Sequence, residues 1–240
     1  MRTLIRFSFL ILGKVLARCL FAFDYDWVGE RQFSPKSEGF RDARVGVFLN
    51  HTSLFEPIFL ATLPVSLLWR LAKSGIIPGA DITMSRPIAG RFFRLLSKDS
   101  VSITRKRDRT WDDFLDLIRP ESLILIAAEG RMKRPNGLDK DGKKMTVRSG
   151  IVDVLKRLGS GKAVFCYSGG LHHIHAPGEK FPRFFRRAKI RYEAIDIEAY
   201  LKGFGDVDPR ELRKMIVADL EARRDRWCHS PFGPKRNLSS

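Results

Sequence analysis

The chain has 240 residues, and its 44 lysines and arginines against 27 acidic residues give a formal net charge of +17. With 44% hydrophobic and 30% charged residues, the composition is that of a globular chain long enough for one large α/β core. Three cysteines without regular spacing exclude a disulfide framework and a cysteine zinc site, and we expect a reducing compartment. The excess of positive charge indicates anionic partners, such as phospholipid headgroups or nucleic acid.

The N-terminal segment, residues 3–23, is strongly apolar but interrupted by basic residues. On a helical projection, four basic side chains fall within an arc of roughly 160°: Arg2, Arg6, Lys14 and Arg18. A transmembrane span would have to bury Lys14 near its middle, and a signal peptide would need a small-residue cleavage site that is absent. We therefore expect residues 1–27 to form an amphipathic membrane-anchoring helix lying in the bilayer plane, with its cations attracted to anionic lipid. The alternative is a helix packed on the protein's own core.

The next pattern joins a buried strand to a helix. The apolar run 45–49 predicts a strand, and residues 53–63 predict a helix. Between them, the sequence places His51 and Glu56 five residues apart. A carboxylate close to a histidine holds the imidazole in one tautomer and favours its protonated form, which is the arrangement of a general base. The alternative is purely local, because Ser53 and Glu56 also fit a Ser-x-x-Glu capping box.

The rest of the chain alternates strands and helices. The predicted strands are 100–104, 122–127, 162–168 and 188–199, and the predicted helices are 87–97, 110–118, 148–158 and 208–227. Residues 66–73 fit either type, and residues 133–144 form a polar loop. The alternation predicts a single α/β domain over residues 28–230, with a mixed, mostly parallel β-sheet flanked by helices. We expect residues 231–240 to be a disordered tail.

Four segments resemble, in order, the motifs of the glycerolipid acyltransferases, the family of the 1-acylglycerol-3-phosphate acyltransferases. His51 to Glu56 resembles the family's His-x4-Asp. Residues 101–107, Val-Ser-Ile-Thr-Arg-Lys-Arg, resemble its second motif, and residues 123–131, which end in Glu-Gly-Arg, resemble its third, Phe-Pro-Glu-Gly-Thr-Arg. Residues 163–170 stand where the fourth motif belongs.

The chain departs from the family pattern at three places. Glu56 replaces the aspartate, as in some acyltransferases of lipid A biosynthesis, and Ala128 replaces the proline before Glu-Gly. Arg131-Met132-Lys133 replaces Thr-Arg-Ser. These departures bear on the identity of the acyl acceptor more than on acyl transfer itself.

The resemblance implies a membrane-associated O-acyltransferase that moves a fatty acyl chain from a thioester of acyl carrier protein or coenzyme A to a hydroxyl of a lysophosphatidate-like glycerolipid. His51 would be the general base and Glu56 its orienting partner, without a covalent acyl-enzyme. No Gly-x-Ser-x-Gly nucleophile elbow occurs in the sequence. The family needs no cofactor beyond the thioester co-substrate, and no metal.

The acceptor's phosphate would need fixed positive charge and backbone donors. Arg105, Arg107 and Arg131 carry planar guanidinium groups suited to phosphate oxygens. Gly130 lets the backbone approach a ligand closely, and Glu129 could accept hydrogen bonds from acceptor hydroxyls or brace an arginine. The alternative for Arg105 and Arg107 is a solvated basic loop.

The implied partners are membrane phospholipids and the thioester donor, which would place the protein at the cytoplasmic face of the inner membrane.

His172, His173 and His175 suggest a metal site, but no cysteine or carboxylate stands at ligand spacing, so we expect none. Two other functions stay open. A different acceptor, such as a lipid A-like or aminolipid molecule, is one, and a catalytically silent lipid-binding relative is another. A nucleic-acid binder is suggested by charge alone and lacks an aromatic–basic signature, so we expect no nucleic-acid partner.

Overall fold

A computed structural model describes residues 1–31, 33, 36–104 and 108–228. Seven strands form one sheet: β1 (Ala22–Trp27), β2 (Ala43–Leu49), β3 (Gly75–Ala80), β4 (Asp99–Ile103), β5 (Leu123–Ala127), β6 (Lys162–Ser168) and β7 (Arg187–Asp196). Their order across the sheet is β1-β7-β6-β2-β5-β3-β4. β6 and β7 are antiparallel, whereas every other neighbouring pair is parallel. The predicted α/β domain with one mixed, mostly parallel sheet is confirmed.

Helices cover both faces of this sheet: α1 (Arg2–Leu20), α2 (Val65–Ser74), α3 (Asp81–Met84), α4 (Pro87–Leu96), α5 (Arg109–Asp116), α6 (Gly150–Leu158), α7 (Ile197–Lys202) and α8 (Pro209–Trp227), with 3₁₀ helices at Lys36–Phe40 and Glu56–Thr62. Because side chains alternate along a strand, a strand covered on both faces contributes residues to two hydrophobic cores, one on each side of the sheet. In β6, Ala163, Phe165 and Tyr167 pack with α5, α6 and α8, while Val164 and Cys166 pack with α1 and α2.

Aspartate side chains cap the N-termini of α5, α7 and α8. Asp108 accepts a hydrogen bond from the Thr110 N–H at the start of α5, and Asp196 accepts one from Ala199 at the start of α7. Asp208 accepts from the first turn of α8, whose first residue is proline. Side-chain oxygens at these positions satisfy backbone donors that a helix leaves unpaired.

Several predicted elements differ from the structure. Residues 22–27, expected to belong to the anchoring helix, form β1, which pairs in parallel with β7. The predicted helix 53–63 is a 3₁₀ helix that begins at Glu56, and the ambiguous segment 66–73 is helical. β3 was not predicted, because its sequence Gly-Ile-Ile-Pro-Gly-Ala carries two glycines and a proline. The strand predicted at 188–199 ends at Asp196, where that side chain caps α7.

The N-terminal helix α1 packs along the domain through one side. Leu10 is 2% exposed within the core shared with α2, and the Phe7 and Trp69 rings lie 5.1 Å apart. We expected Lys14 and Arg18 to face lipid headgroups. Instead, Lys14 Nζ donates to the carbonyls of Ala61 and Leu63 at 2.7 and 2.6 Å, and Arg18 Nε donates to Ala61 at 3.0 Å. The two cations turn inward because the end of the 3₁₀ helix leaves carbonyls without partners.

The outer side of α1 exposes large apolar residues: Leu4, Ile5, Leu12, Val15 and Leu16. Across the described part of the chain, no helix combines the length and the apolar character needed to cross a bilayer.

Candidate active site

A tight turn after β2 brings the candidate histidine to the carboxyl edge of the sheet. Asn50 adopts a left-handed conformation with φ of 62°, which non-glycine residues rarely adopt and asparagine tolerates best. Its side-chain amide donates to the Ser168 carbonyl at 2.9 Å, at the end of β6, and this bond holds the turn. His51 therefore leaves the sheet at a fixed angle.

His51 and Glu56 are in direct contact. His51 Nδ1 lies 2.5 Å from Glu56 Oε2, and Glu56 Oε1 accepts the Thr52 backbone N–H at 2.7 Å. The capping-box alternative does not describe this geometry, because Ser53 Oγ instead accepts the Phe55 N–H and contacts His175 Nδ1. His51 Nε2 makes no hydrogen bond within the described residues. The ring is thus held through one nitrogen and open at the other.

Opposing effects set the pKa of His51. Burial by itself lowers this pKa, but the charge of Glu56, its hydrogen bond and the charge of Glu129 favour the protonated ring. The net result is a pKa raised above the ordinary value of 6.5. An imidazole of this kind is a stronger base than free histidine.

Glu129 supports the histidine from behind. Its carboxylate, in a residue that is 1% exposed, accepts the His51 backbone N–H at 2.8 Å and the Arg224 Nη1–H at 3.0 Å. Arg224 comes from α8 and also donates to the Met145 carbonyl. Burial raises the pKa of Glu129, and the bonds from His51 and Arg224 oppose that rise. Of the two predicted roles, the structure shows Glu129 bracing an arginine. Sequence reasoning missed Arg224, since 95 positions separate it from Glu129.

The segment after Glu129 also has a defined shape. Gly130 has φ of 62°, and the Lys133 N–H donates to the His51 carbonyl at 2.7 Å. Arg131 forms an ion pair with the buried Asp139. Backbone N–H groups of the following loop and this arginine hold the pKa of Asp139 at about 2. Arg131 Nε is buried and makes no hydrogen bond within the part of the chain that the structure describes.

Arg105 and Arg107, the other predicted phosphate ligands, lie outside the described residues.

The three nearby histidines each contact a different protein oxygen. His172 Nε2 lies 2.7 Å from the Lys133 carbonyl and His173 Nε2 lies 2.8 Å from the Arg187 carbonyl. His175 stands between Ser53 Oγ and the Glu179 carbonyl, and its ring lies against Phe55. No group of three metal-ligating side chains occurs within the described ranges. His175 therefore supports the loop that carries His51 and Glu56.

An apolar cavity of about 490 Å³ opens beside the His51–Glu56 pair. This volume is in the range of small-ligand pockets. Polar groups on its wall include His51, Glu56, Arg131 and Arg148. The remaining wall is mostly apolar and includes Phe48, Leu60, Ile77, Met84, Phe93, Leu96, Ile103, Trp111 and Leu125. The cavity can hold an extended apolar group with one reactive end near His51.

Comparisons with protein-family models and with curated protein sequences give no match. Among solved structures, the chain is similar to the crystal structure of the 1-acyl-sn-glycerophosphate (LPA) acyltransferase PlsC from Thermotoga maritima, with a TM-score of 0.56. The two are 19% identical, and the match covers 94% of this chain and 82% of that chain. At this identity, the likeness establishes that the chain shares the fold of that enzyme.

Proposed function

We propose that this protein is an O-acyltransferase that moves a fatty acyl chain from a thioester to a hydroxyl of a lysophosphatidate-like glycerolipid. One observation carries the proposal: the His51–Glu56 pair lies at the wall of an apolar cavity, and no described residue bonds His51 Nε2. The fold shared with an LPA acyltransferase supports the same reading. Proteins of one fold can differ in activity, so the proposal depends on the site.

In the proposed reaction, His51 Nε2 takes the proton of the acceptor hydroxyl as its oxygen attacks the thioester carbonyl. The carbonyl carbon forms a new bond to that oxygen and becomes tetrahedral. When this intermediate collapses, the carbon–sulfur bond breaks and the thiolate accepts the proton from the imidazolium. The carboxylate of Glu56 stabilises the imidazolium in between, which is why a short Nδ1 contact is useful.

The cavity would take the acyl chain, because its wall is mostly apolar and includes His51. We propose that Arg131 contributes to binding the acceptor's phosphate, together with Arg105 and Arg107. Arg131 shares its charge with Asp139, so it would act mainly as an oriented fork of N–H donors. Gly130 would allow close approach of the acceptor to the backbone.

We also propose membrane association at the cytoplasmic face of the inner membrane. The outer side of α1 and neighbouring positions on α2 and α4, including Trp69, Ile88 and Phe92, expose large apolar side chains. Burying such side chains in the acyl-chain boundary is favourable. The partners would be phospholipids and a thioester of acyl carrier protein or coenzyme A, and the proposed steps need neither a metal nor another cofactor.

The test is to incubate the purified protein in detergent with acyl thioesters and a panel of lysolipids, and to identify products by mass spectrometry. The panel includes lysophosphatidate, a lipid A precursor and an aminolipid, each with acyl-carrier-protein and coenzyme A donors. We expect acylated lysophosphatidate and release of free thiol. Turnover with only a different acceptor would correct the substrate, and no turnover with any pair would refute the proposal.

A further inference from the structure

A short surface segment combines aromatic and basic residues. Residues 180–187, Lys-Phe-Pro-Arg-Phe-Phe-Arg-Arg, carry three phenylalanines and four cations, and are called here the aromatic–basic loop. Phe181 is 79% exposed and Phe185 is 81% exposed. Single exposed apolar side chains are ordinary, but a cluster of them rimmed by polar groups marks a protein or membrane contact, and this loop places three phenylalanines within eight residues.

The loop presents these side chains from a fixed backbone. The Arg183 N–H donates to the Ile174 carbonyl, and the Phe185 N–H donates to the Leu20 carbonyl, both at 2.7 Å. Phe185 has φ of 58°, which is unfavourable for an aromatic residue and persists only where surrounding contacts impose it. The outward position of Phe185 therefore results from a constrained turn.

The loop lies at the edge of the sheet that carries the candidate active site. It leads into β7, which is antiparallel to β6, and Ile190 near the start of β7 pairs with Ser168 at the end of β6. His51 leaves β2 at that same edge, because Leu49 pairs with Tyr167. The loop also meets the end of α1, where the Phe184 and Phe21 rings lie 5.9 Å apart.

Two of the four cations of the aromatic–basic loop form ion pairs with acidic side chains. Arg183 pairs with Glu179, and Arg187 pairs with Asp24. Lys180 and Arg186 are exposed and form no ion pair with any described residue. Two free cations therefore flank the exposed rings of Phe181 and Phe185.

We propose that the aromatic–basic loop is a second membrane contact, separate from α1, and that its partner is an anionic phospholipid bilayer. The phenylalanine rings would enter the interface between headgroups and acyl chains, and Lys180 and Arg186 would meet lipid phosphates. This inference rests on the proposed function for its purpose, because it would hold the active-site edge against the surface that supplies the lipid acceptor.

The first test measures binding of the full-length protein to vesicles of phosphatidylglycerol and phosphatidylcholine by co-sedimentation. Phe181→Ser with Phe185→Ser should weaken binding by about tenfold or more for each ring that the interface buries. Lys180→Glu with Arg186→Glu should weaken it by about tenfold or more, and less at high salt. The matched control reverses two exposed cations on α7 and α8, Lys202→Glu with Lys214→Glu, and should have a much smaller effect.

The second test measures insertion directly and does not depend on a loss. Phe185→Trp keeps an aromatic ring, and the fluorescence it adds to that of the wild-type protein, which has four tryptophans of its own, should be quenched by lipids brominated in their acyl chains. Leu117→Trp is the control, because Leu117 precedes β5 and lies at the opposite edge of the sheet. Equal quenching at both positions, or vesicle binding unchanged in both double variants, would overturn the proposal.

The outcomes also separate this proposal from the proposed function. If the loop variants no longer bind vesicles but the wild-type protein transfers no acyl group in detergent, the membrane contact is supported and the proposed acyltransferase activity is refuted. If the variants bind vesicles normally and transfer proceeds, the activity stands and the loop is not a membrane contact. Loss of binding to DNA or to an acidic protein, with vesicle binding retained, would also overturn the proposal.

Discussion

At the residue scale, three contacts hold His51 in place, while its Nε2 bonds no described residue. Its N–H donates to Glu129, its carbonyl accepts from Lys133, and its Nδ1 contacts Glu56. These contacts fix the position of the ring before any substrate binds. A base positioned in this way avoids the entropy of finding its geometry during the reaction.

The raised pKa of His51 gives a pH prediction. In the proposed reaction the neutral ring of His51 is the base, so the rate should rise with pH through the pKa of His51, which lies above 6.5. Glu56→Gln removes the main charge that raises this pKa, so the acid limb of the kcat/KM profile, which reports the free enzyme, should move to lower pH. The plateau rate should also fall, by less than the ~10²–10⁴-fold expected for loss of the base itself.

Glu56→Asp is the control for this experiment, since it keeps the negative charge and restores the aspartate of the His-x4-Asp motif that this segment resembles. Its acid limb should stay close to that of the wild-type protein. If the acid limb of Glu56→Gln stays at the wild-type pH, the titration of a group other than His51 produces it.

At the element scale, α8 connects the C-terminal part of the chain to the candidate active site. Arg224 is largely buried and bonds Glu129, which in turn bonds His51. Removing one partner of a buried ion pair lowers stability strongly, because the remaining charge then lacks both water and a counter-ion. The helix therefore positions His51 through two contacts, Arg224 to Glu129 and Glu129 to His51.

We predict that Arg224→Met lowers the free energy of unfolding by about 3 kcal/mol, because the Glu129 carboxylate is left buried and unpaired. It should also lower kcat more than it changes KM for either substrate. Arg224→Lys should restore part of both. Urea unfolding and steady-state kinetics measure these effects.

A double variant tests the coupling between the two residues. Glu129→Gln removes the charge that Arg224 matches, so Arg224→Met should cost less in that background. Additive effects on stability and kcat would mean that the two residues act separately.

A second element-scale prediction concerns α1. Burial and the nearby charge of Arg18 lower the pKa of Lys14 from 10.5 to about 8. Between these two values the unfolded chain binds more protons than the folded protein, so the contribution of Lys14 to stability rises with pH. The unfolding free energy of the wild-type protein should therefore rise from pH 8 to 10.5 relative to that of Lys14→Met.

Urea unfolding at several pH values measures this difference, and Lys73→Met on α2 provides a control at a lysine whose side chain is exposed. A difference between wild-type and Lys14→Met that does not change with pH would contradict the inward position of Lys14.

At the scale of the whole molecule, the buried charged residues are mostly acidic: Glu56, Glu129, Asp139 and Glu193 against Arg224. The solvent-facing surface is therefore even more basic than the net charge of +17 indicates. A surface of this sign attracts anionic partners over several ångströms.

The sequence allowed prediction of features set by local pattern. The strand–turn–histidine arrangement and the His51–Glu56 contact depend on residues within one short segment, and both could be anticipated. β1 could not be predicted, because its sequence alternates Asp24 and Asp26 with aromatic residues. It forms a strand only through its pairing with β7. The Glu129–Arg224 pair likewise depends on a contact between distant segments. The inward turn of Lys14 depends on carbonyls that only the folded chain places nearby.

The measurement that tests the central claim most directly compares thiol release from an acyl thioester by the wild-type protein and by His51→Ala, with and without lysophosphatidate. The wild-type protein should release thiol only when the acceptor is present, and His51→Ala should be slower by about 10²–10⁴-fold while its circular dichroism and unfolding curve remain those of a folded protein. A folded His51→Ala protein that transfers the acyl chain at the wild-type rate would contradict the account.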